Sequence, residues 1–83
     1  MTASLAALLE DDLRKIAGPD AEPTSMTVDY GAAVSSLKGG VHASKAWIER
    51  STRSLVFVQA EARAEDGTLV AAASAVFRRV TQG

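Results

Sequence analysis

Glu61-Ala62-Arg63-Ala64-Glu65-Asp66-Gly67-Thr68-Leu69-Val70-Ala71 is the stretch that decides how this chain folds. Asp66-Gly67 is a strong turn signal, because glycine supplies the positive φ that a tight hairpin needs. Before the turn, Leu55–Ala64 alternates: Val56, Val58, Ala60, Ala62 and Ala64 share one face. Gln59, Glu61 and Arg63 share the other with Leu55 and Phe57, so this segment reads as a strand. After the turn, Thr68–Val80 is apolar on both faces, the pattern of a central strand.

Working outward, Thr24–Tyr30 sets Met26, Val28 and Tyr30 against Ser25, Thr27 and Asp29, which predicts a half-buried strand. Val41–Arg50 reads as another strand, with Trp47 and Ile48 near its end. Gly31–Gly40, rich in Gly, Ser and Ala, connects the two. Residues 3–17 read as a helix, because Leu5, Leu8, Leu9, Leu13 and Ile16 fall on one stripe at a 3.6 period. Thr2 or Ser4 can cap its start, and Gly18-Pro19 ends it in the left-handed geometry that glycine accepts. Glu10 with Arg14 and Asp11 with Lys15 form i, i+4 pairs. The segment Pro19-Asp20-Ala21-Glu22-Pro23 reads as a loop. The expected architecture is α+β: one N-terminal helix on a four-stranded antiparallel sheet, in a single domain over residues 1–83. Small side chains at Ala60, Ala62, Ala71 and Ala73 would let the helix lie close to the sheet.

Composition narrows the function. The 83 residues carry 9 basic and 10 acidic side chains, a balance without an electrostatic footprint for nucleic acid or an anionic membrane. There is no cysteine and one histidine, His42, so no metal site is expected. No run of 18 apolar residues is present, and Glu10-Asp11-Asp12 interrupts any signal-peptide core, so a cytoplasmic location is expected. Sixteen residues are alanine, leaving few bulky side chains to stabilise so short a chain, and no disulfide or metal assists. A homo-oligomer, dimer or tetramer, is therefore expected, with the sheet continued across a free edge.

The helix with Ala6-Ala7-Leu8-Leu9-Glu10, the strand Thr27-Val28-Asp29-Tyr30, Gly39-Gly40 and the final hairpin resemble the hotdog fold. More narrowly, they are similar to the acyl-CoA thioesterases of the phenylacetate-degradation type, over about Ala3 to Val80. That resemblance implies a hydrolase acting on, or a protein binding, an acyl-CoA thioester at a dimer interface, without a cofactor. In the family a His-Gly-Gly motif opens the helix, and an Asp or Glu nine residues after the histidine is the catalytic carboxylate. Glu10 stands at that position, or Asp11 if the register shifts by one. The carboxylate would activate water or attack the thioester carbonyl. Met1, Thr2 and Ala3 occupy the His-Gly-Gly positions, so the chain is N-terminally short against the family pattern. The resemblance assigns the oxyanion to backbone N–H groups of Thr2 and Ala3. It assigns coenzyme A phosphates to Arg50 and Arg53 in the turn between the second and third strands, with Lys38 in the preceding loop as a further candidate. Gly31-Ala32-Ala33 replaces the family's usual Arg-Pro after the first post-helix strand.

Other residues read more plainly. Asp12 falls inside the leucine stripe, where a free carboxylate is costly unless it reaches water or a partner chain. Trp47 suits core or dimer packing, Lys45 blunts a sheet edge, and Arg78-Arg79 is surface charge. The alternative function is a non-catalytic hotdog remnant that binds a ligand or a protein. A cystatin-like fold shares the helix-plus-four-strand order but needs a Gln-x-Val-x-Gly loop, which is absent.

Overall fold

The computed structural model describes residues 4–31 and 43–80. Helix α1 spans Leu5–Ala17. The Ser4 hydroxyl accepts the Ala7 N–H at 3.0 Å, satisfying one of the free donors at the helix start. Arg14 and Lys15 in the last turn complement the helix dipole. Gly18 closes the helix with φ 100° and its N–H on the Arg14 carbonyl. Its ψ of 165° is extended and not left-handed helical as expected, so the chain leaves α1 directly toward the sheet.

Four strands follow: β1 Ala21–Tyr30, β2 Ala43–Ser51, β3 Leu55–Arg63 and β4 Leu69–Arg79. They form one antiparallel sheet in the order β1-β4-β3-β2, with β4 central as its apolar pattern predicts. β1 begins three residues earlier than expected. Glu22 pairs with Arg78 and Pro23 with Phe77, and the Asp20 carbonyl accepts the Val80 N–H. Proline is tolerated there because β1 is an edge strand and the missing N–H costs no ladder bond. A bulge at Thr24 follows, where the hydroxyl donates to the Val76 carbonyl at 2.9 Å. β2 runs from Ala43, and the expected strand residues Val41 and His42 lie outside the described residues.

The deciding hairpin forms as read. The Gly67 N–H bonds the Ala64 carbonyl, the Ala64 N–H bonds the Thr68 carbonyl, and Gly67 has φ 88°. The Asp66 carboxylate accepts the Thr68 N–H, and hydrogen bonding from Thr68, its side chain first and its backbone second, holds the Asp66 pKa below the usual value. At the end of β1, Gly31 donates to the Val70 carbonyl at 2.7 Å. A Cβ there would stand 2.5 Å from the Leu69 carbonyl oxygen, so close backbone approach requires glycine at this position.

The core lies between α1 and one face of the sheet. Cross-strand pairs Val56–Phe77, Val58–Ala75, Ala60–Ala73 and Ala62–Ala71 are all buried, with Leu9 and Leu13 of α1 among them. The small alanines do face the helix. Ile16, expected in the buried stripe, is 38% exposed because α1 carries it out to the β2 side, where the sheet ends. No helix among the described residues is long and apolar enough to cross a membrane.

Candidate functional site

α1 lies over the sheet so that its two flanks face different strands. The Glu10 flank meets β1, and the Asp12 flank meets β2. That division follows from the 100° step between residues: with Leu9 and Leu13 directed at the sheet, Glu10 and Asp12 emerge on opposite sides.

Glu10 stands at the rim of a groove of about 220 Å³ between α1 and β1. Pro23, Met26, Ala75 and Phe77 supply its apolar lining, and Thr24 adds a hydroxyl already engaged with Val76. The Glu10 carboxylate is half-exposed, and one oxygen, Oε2, receives both Arg14 Nε at 2.9 Å and Arg14 Nη2 at 2.8 Å. Oε1 has no partner among the described residues. Asp11, the other catalytic candidate, points to solvent and pairs with Lys15 at 2.9 Å. Asp11 raises the Lys15 amine above its ordinary pKa through that hydrogen bond and its charge. Asp11 does not line the groove.

The arginines assigned to phosphates lie elsewhere. Arg50 is on β2 beyond a bulge at Glu49, and its guanidinium sits 6.0 Å from the Phe57 ring centre. Phe57 pairs with Val76 on the face turned away from α1, so Arg50 and Glu10 are on opposite sides of the sheet. Arg50 borders a shallow groove of about 410 Å³ there, with Ser25, Thr27, Gln59 and Ser74. Arg53 is exposed in the β2–β3 turn. One protomer therefore does not bring Arg50 and Glu10 together. Thr2, Ala3 and Lys38 lie outside the described residues.

Two residues read as plain surface charge have structural partners. Arg79 reaches across to the β2–β3 turn, donating to Ser51 Oγ at 2.7 Å and to the Thr52 carbonyl, while its N–H bonds the Ser54 carbonyl. Arg78 pairs with Glu22 across the β1–β4 ladder at 2.9 Å. Neither contact has a signal in local spacing, because both partners are more than 20 residues away along the chain. On the face away from α1, Glu61 joins Arg63 at 3.0 Å and Lys45 at 3.5 Å. The Arg63 hydrogen bond, with the nearby positive charges, holds the Glu61 carboxyl below its ordinary pKa against the opposing effect of burial.

Asp12 is half-buried on the β2 flank. Its Oδ2 is buried and has no hydrogen-bond partner among the described residues. Among those residues no cluster of three His, Asp or Glu side chains is placed to hold a metal ion. No family model, curated protein or solved structure matches the chain.

Proposed function

We propose that this chain is a cytoplasmic hotdog-like module that takes an acyl-CoA thioester, with the acyl group in the groove between α1 and β1. The observation that carries this reading is the Glu10 carboxylate at the rim of an apolar groove floored by Met26, Ala75 and Phe77. An acyl chain gains by leaving water for such a lining, and the thioester carbonyl would then stand beside the carboxylate. A helix lying on an antiparallel sheet, the arrangement the resemblance implies, supports the same reading. Within one protomer Arg50 lies on the far face of the sheet from this groove.

Binding is the favoured activity, because two Arg14 donors already occupy one Glu10 oxygen, so that oxygen is engaged in an ion pair rather than directed at a carbonyl. Hydrolysis is the second reading, favoured by the second oxygen of the same carboxylate, which has no hydrogen-bond partner among the described residues. The proposal includes a homodimer in which two sheets continue edge to edge. Calorimetry with coenzyme A, butyryl-CoA and phenylacetyl-CoA tests it, alongside release of free thiol. Tighter binding of the acylated forms than of coenzyme A is expected, weakened by Met26→Lys in the groove floor. Thiol release that vanishes in Glu10→Gln would establish the second reading. Failure of every acyl-CoA to bind or react would end both.

A further inference from the structure

The face of the sheet turned away from α1 carries two neighbouring rows of different chemistry. One runs Thr27–Ser74–Gln59–Trp47 across all four strands, and the next runs Ser25–Val76–Phe57–Arg50. Adjacent strands lie about 4.7–4.9 Å apart, so consecutive members of a row are within reach of one small ligand. All of them but Trp47 border the groove of about 410 Å³ on this face, a volume typical of small-molecule sites. The bulge between Ile48 and Arg50 then adds charge to it. Strict alternation would send the consecutive residues Glu49 and Arg50 to opposite faces, yet both border the groove. Glu49 Oε2 accepts the Trp47 indole N–H at 3.2 Å, while the Arg50 guanidinium stands 6.0 Å from the Phe57 ring centre. Among the described residues, the hydroxyls of Ser25, Thr27 and Ser74 and the Gln59 amide have no hydrogen-bond partner. Uncommitted polar side chains, a re-aimed acid and base, and an apolar floor of Phe57 and Val76 thus meet in one groove.

We propose that this groove binds an uncharged, polyhydroxylated ligand, a mono- or disaccharide. The lining selects that class in two ways. The first is charge: an anion drawn to Arg50 would also meet Glu49, and a cation drawn to Glu49 would meet Arg50, so neither sign is favoured. The second is hydrogen bonding. The groove offers a carboxylate that only accepts, a guanidinium that only donates, and hydroxyls and an amide that do both. A sugar hydroxyl donates and accepts, so it can be satisfied by any of them. A wholly apolar ligand would bury these groups unpaired, at a cost. A pyranose also has a face of C–H groups, which suits contact with Phe57 and Val76. Because this groove and the one at Glu10 lie on opposite sides of the sheet, the proposal does not rest on the acyl-CoA reading.

Trp47 is the chain's one tryptophan and is joined to Glu49 at the groove, so its emission reports on this face. Titrating the full chain with glucose, galactose, N-acetylglucosamine and maltose is expected to give a saturable change with at least one of them. Gln59→Leu should raise the dissociation constant of that sugar about tenfold, the effect of losing one or two neutral hydrogen bonds. Thr27→Val and Ser74→Ala, each on an exposed side chain and unlikely to disturb the core, should raise it by smaller factors. Circular dichroism checks that each variant is folded, and the same variants should leave acyl-CoA calorimetry unchanged. Three results would overturn the proposal. One is the lack of a saturable response to every sugar. Another is an equal or stronger response to phosphate, acetate or butylamine, which would make the groove a site for charge. The last is a sugar response that all three variants leave intact, which would place binding elsewhere.

Discussion

The two faces of the sheet are built from alternate residues of the same strands, yet they obey different rules. Toward α1, the pairs Val56–Phe77, Val58–Ala75, Ala60–Ala73 and Ala62–Ala71 are buried, and every member is apolar. On the other face the register gives Leu55–Arg78, Phe57–Val76, Gln59–Ser74 and Glu61–Ala72. There apolar and charged side chains stand side by side, tied by the Lys45–Glu61–Arg63 contacts. The helix face is selected by volume, because α1 must fit against it and no water remains to satisfy a polar group. The open face is selected by local pairing, because solvent tolerates either kind of residue and neighbours supply the partners.

Truncating an aromatic ring on each face tests this contrast most severely. Phe77→Ala is expected to cost about 3–5 kcal/mol in denaturant unfolding, since it opens a void beneath Leu9 and Leu13. Phe57→Ala, whose half-buried ring faces the open side, should cost roughly half as much or less. Equal losses would mean that the open face is covered in solution. Enlarging a small residue on each face gives a smaller effect of the same form. Ala60→Leu should destabilise by about 1–3 kcal/mol because the space under α1 is filled, whereas Ala72→Leu should stay within about 0.5 kcal/mol. A tolerant Ala60→Leu would show that α1 lies farther from the sheet than its alanines imply.

The smallest expected effect concerns charge. The Glu61 carboxyl has a folded-state pKa below its ordinary 4.5, first through Arg63. A depressed carboxylate stabilises the fold above the unfolded value and loses that contribution as pH falls through the folded one. Stability of the natural chain should therefore decline below about pH 4.5 more than that of Glu61→Gln. The two curves should converge in acid, with a difference at neutral pH under about 1 kcal/mol, since the partners Lys45 and Arg63 are exposed. Identical pH profiles would show that these contacts do not persist in solution.

The candidate site was legible only in part. Glu10 and Arg14 were readable as an i, i+4 pair, because helix geometry brings them together whatever the tertiary fold. The apolar floor beneath Glu10 was not, since Met26, Ala75 and Phe77 come from two strands whose neighbourhood depends on sheet order. The face of the sheet on which Arg50 lies was not legible, for a related reason. The bulge at Glu49 resets the alternation of β2, and nothing in the residues themselves announces it. Pro23 reads as loop because proline argues against a strand, and only its position at the sheet edge lifts that objection.

Periodicity and turn chemistry, which act within a few residues, were enough to determine one capped helix, four strands, the Asp66-Gly67 hairpin and a central β4. Tertiary structure alone decided which flank of α1 meets which strand, and that Glu10 and Arg50 lie on opposite sides of the sheet. It also left a buried Asp12 oxygen beside β2 without a partner among the described residues. The reason is physical: hydrogen-bond spacing and side-chain period are local properties of the chain. Which surfaces meet depends on how whole elements stack, and a carboxylate's surroundings exist only once they have done so.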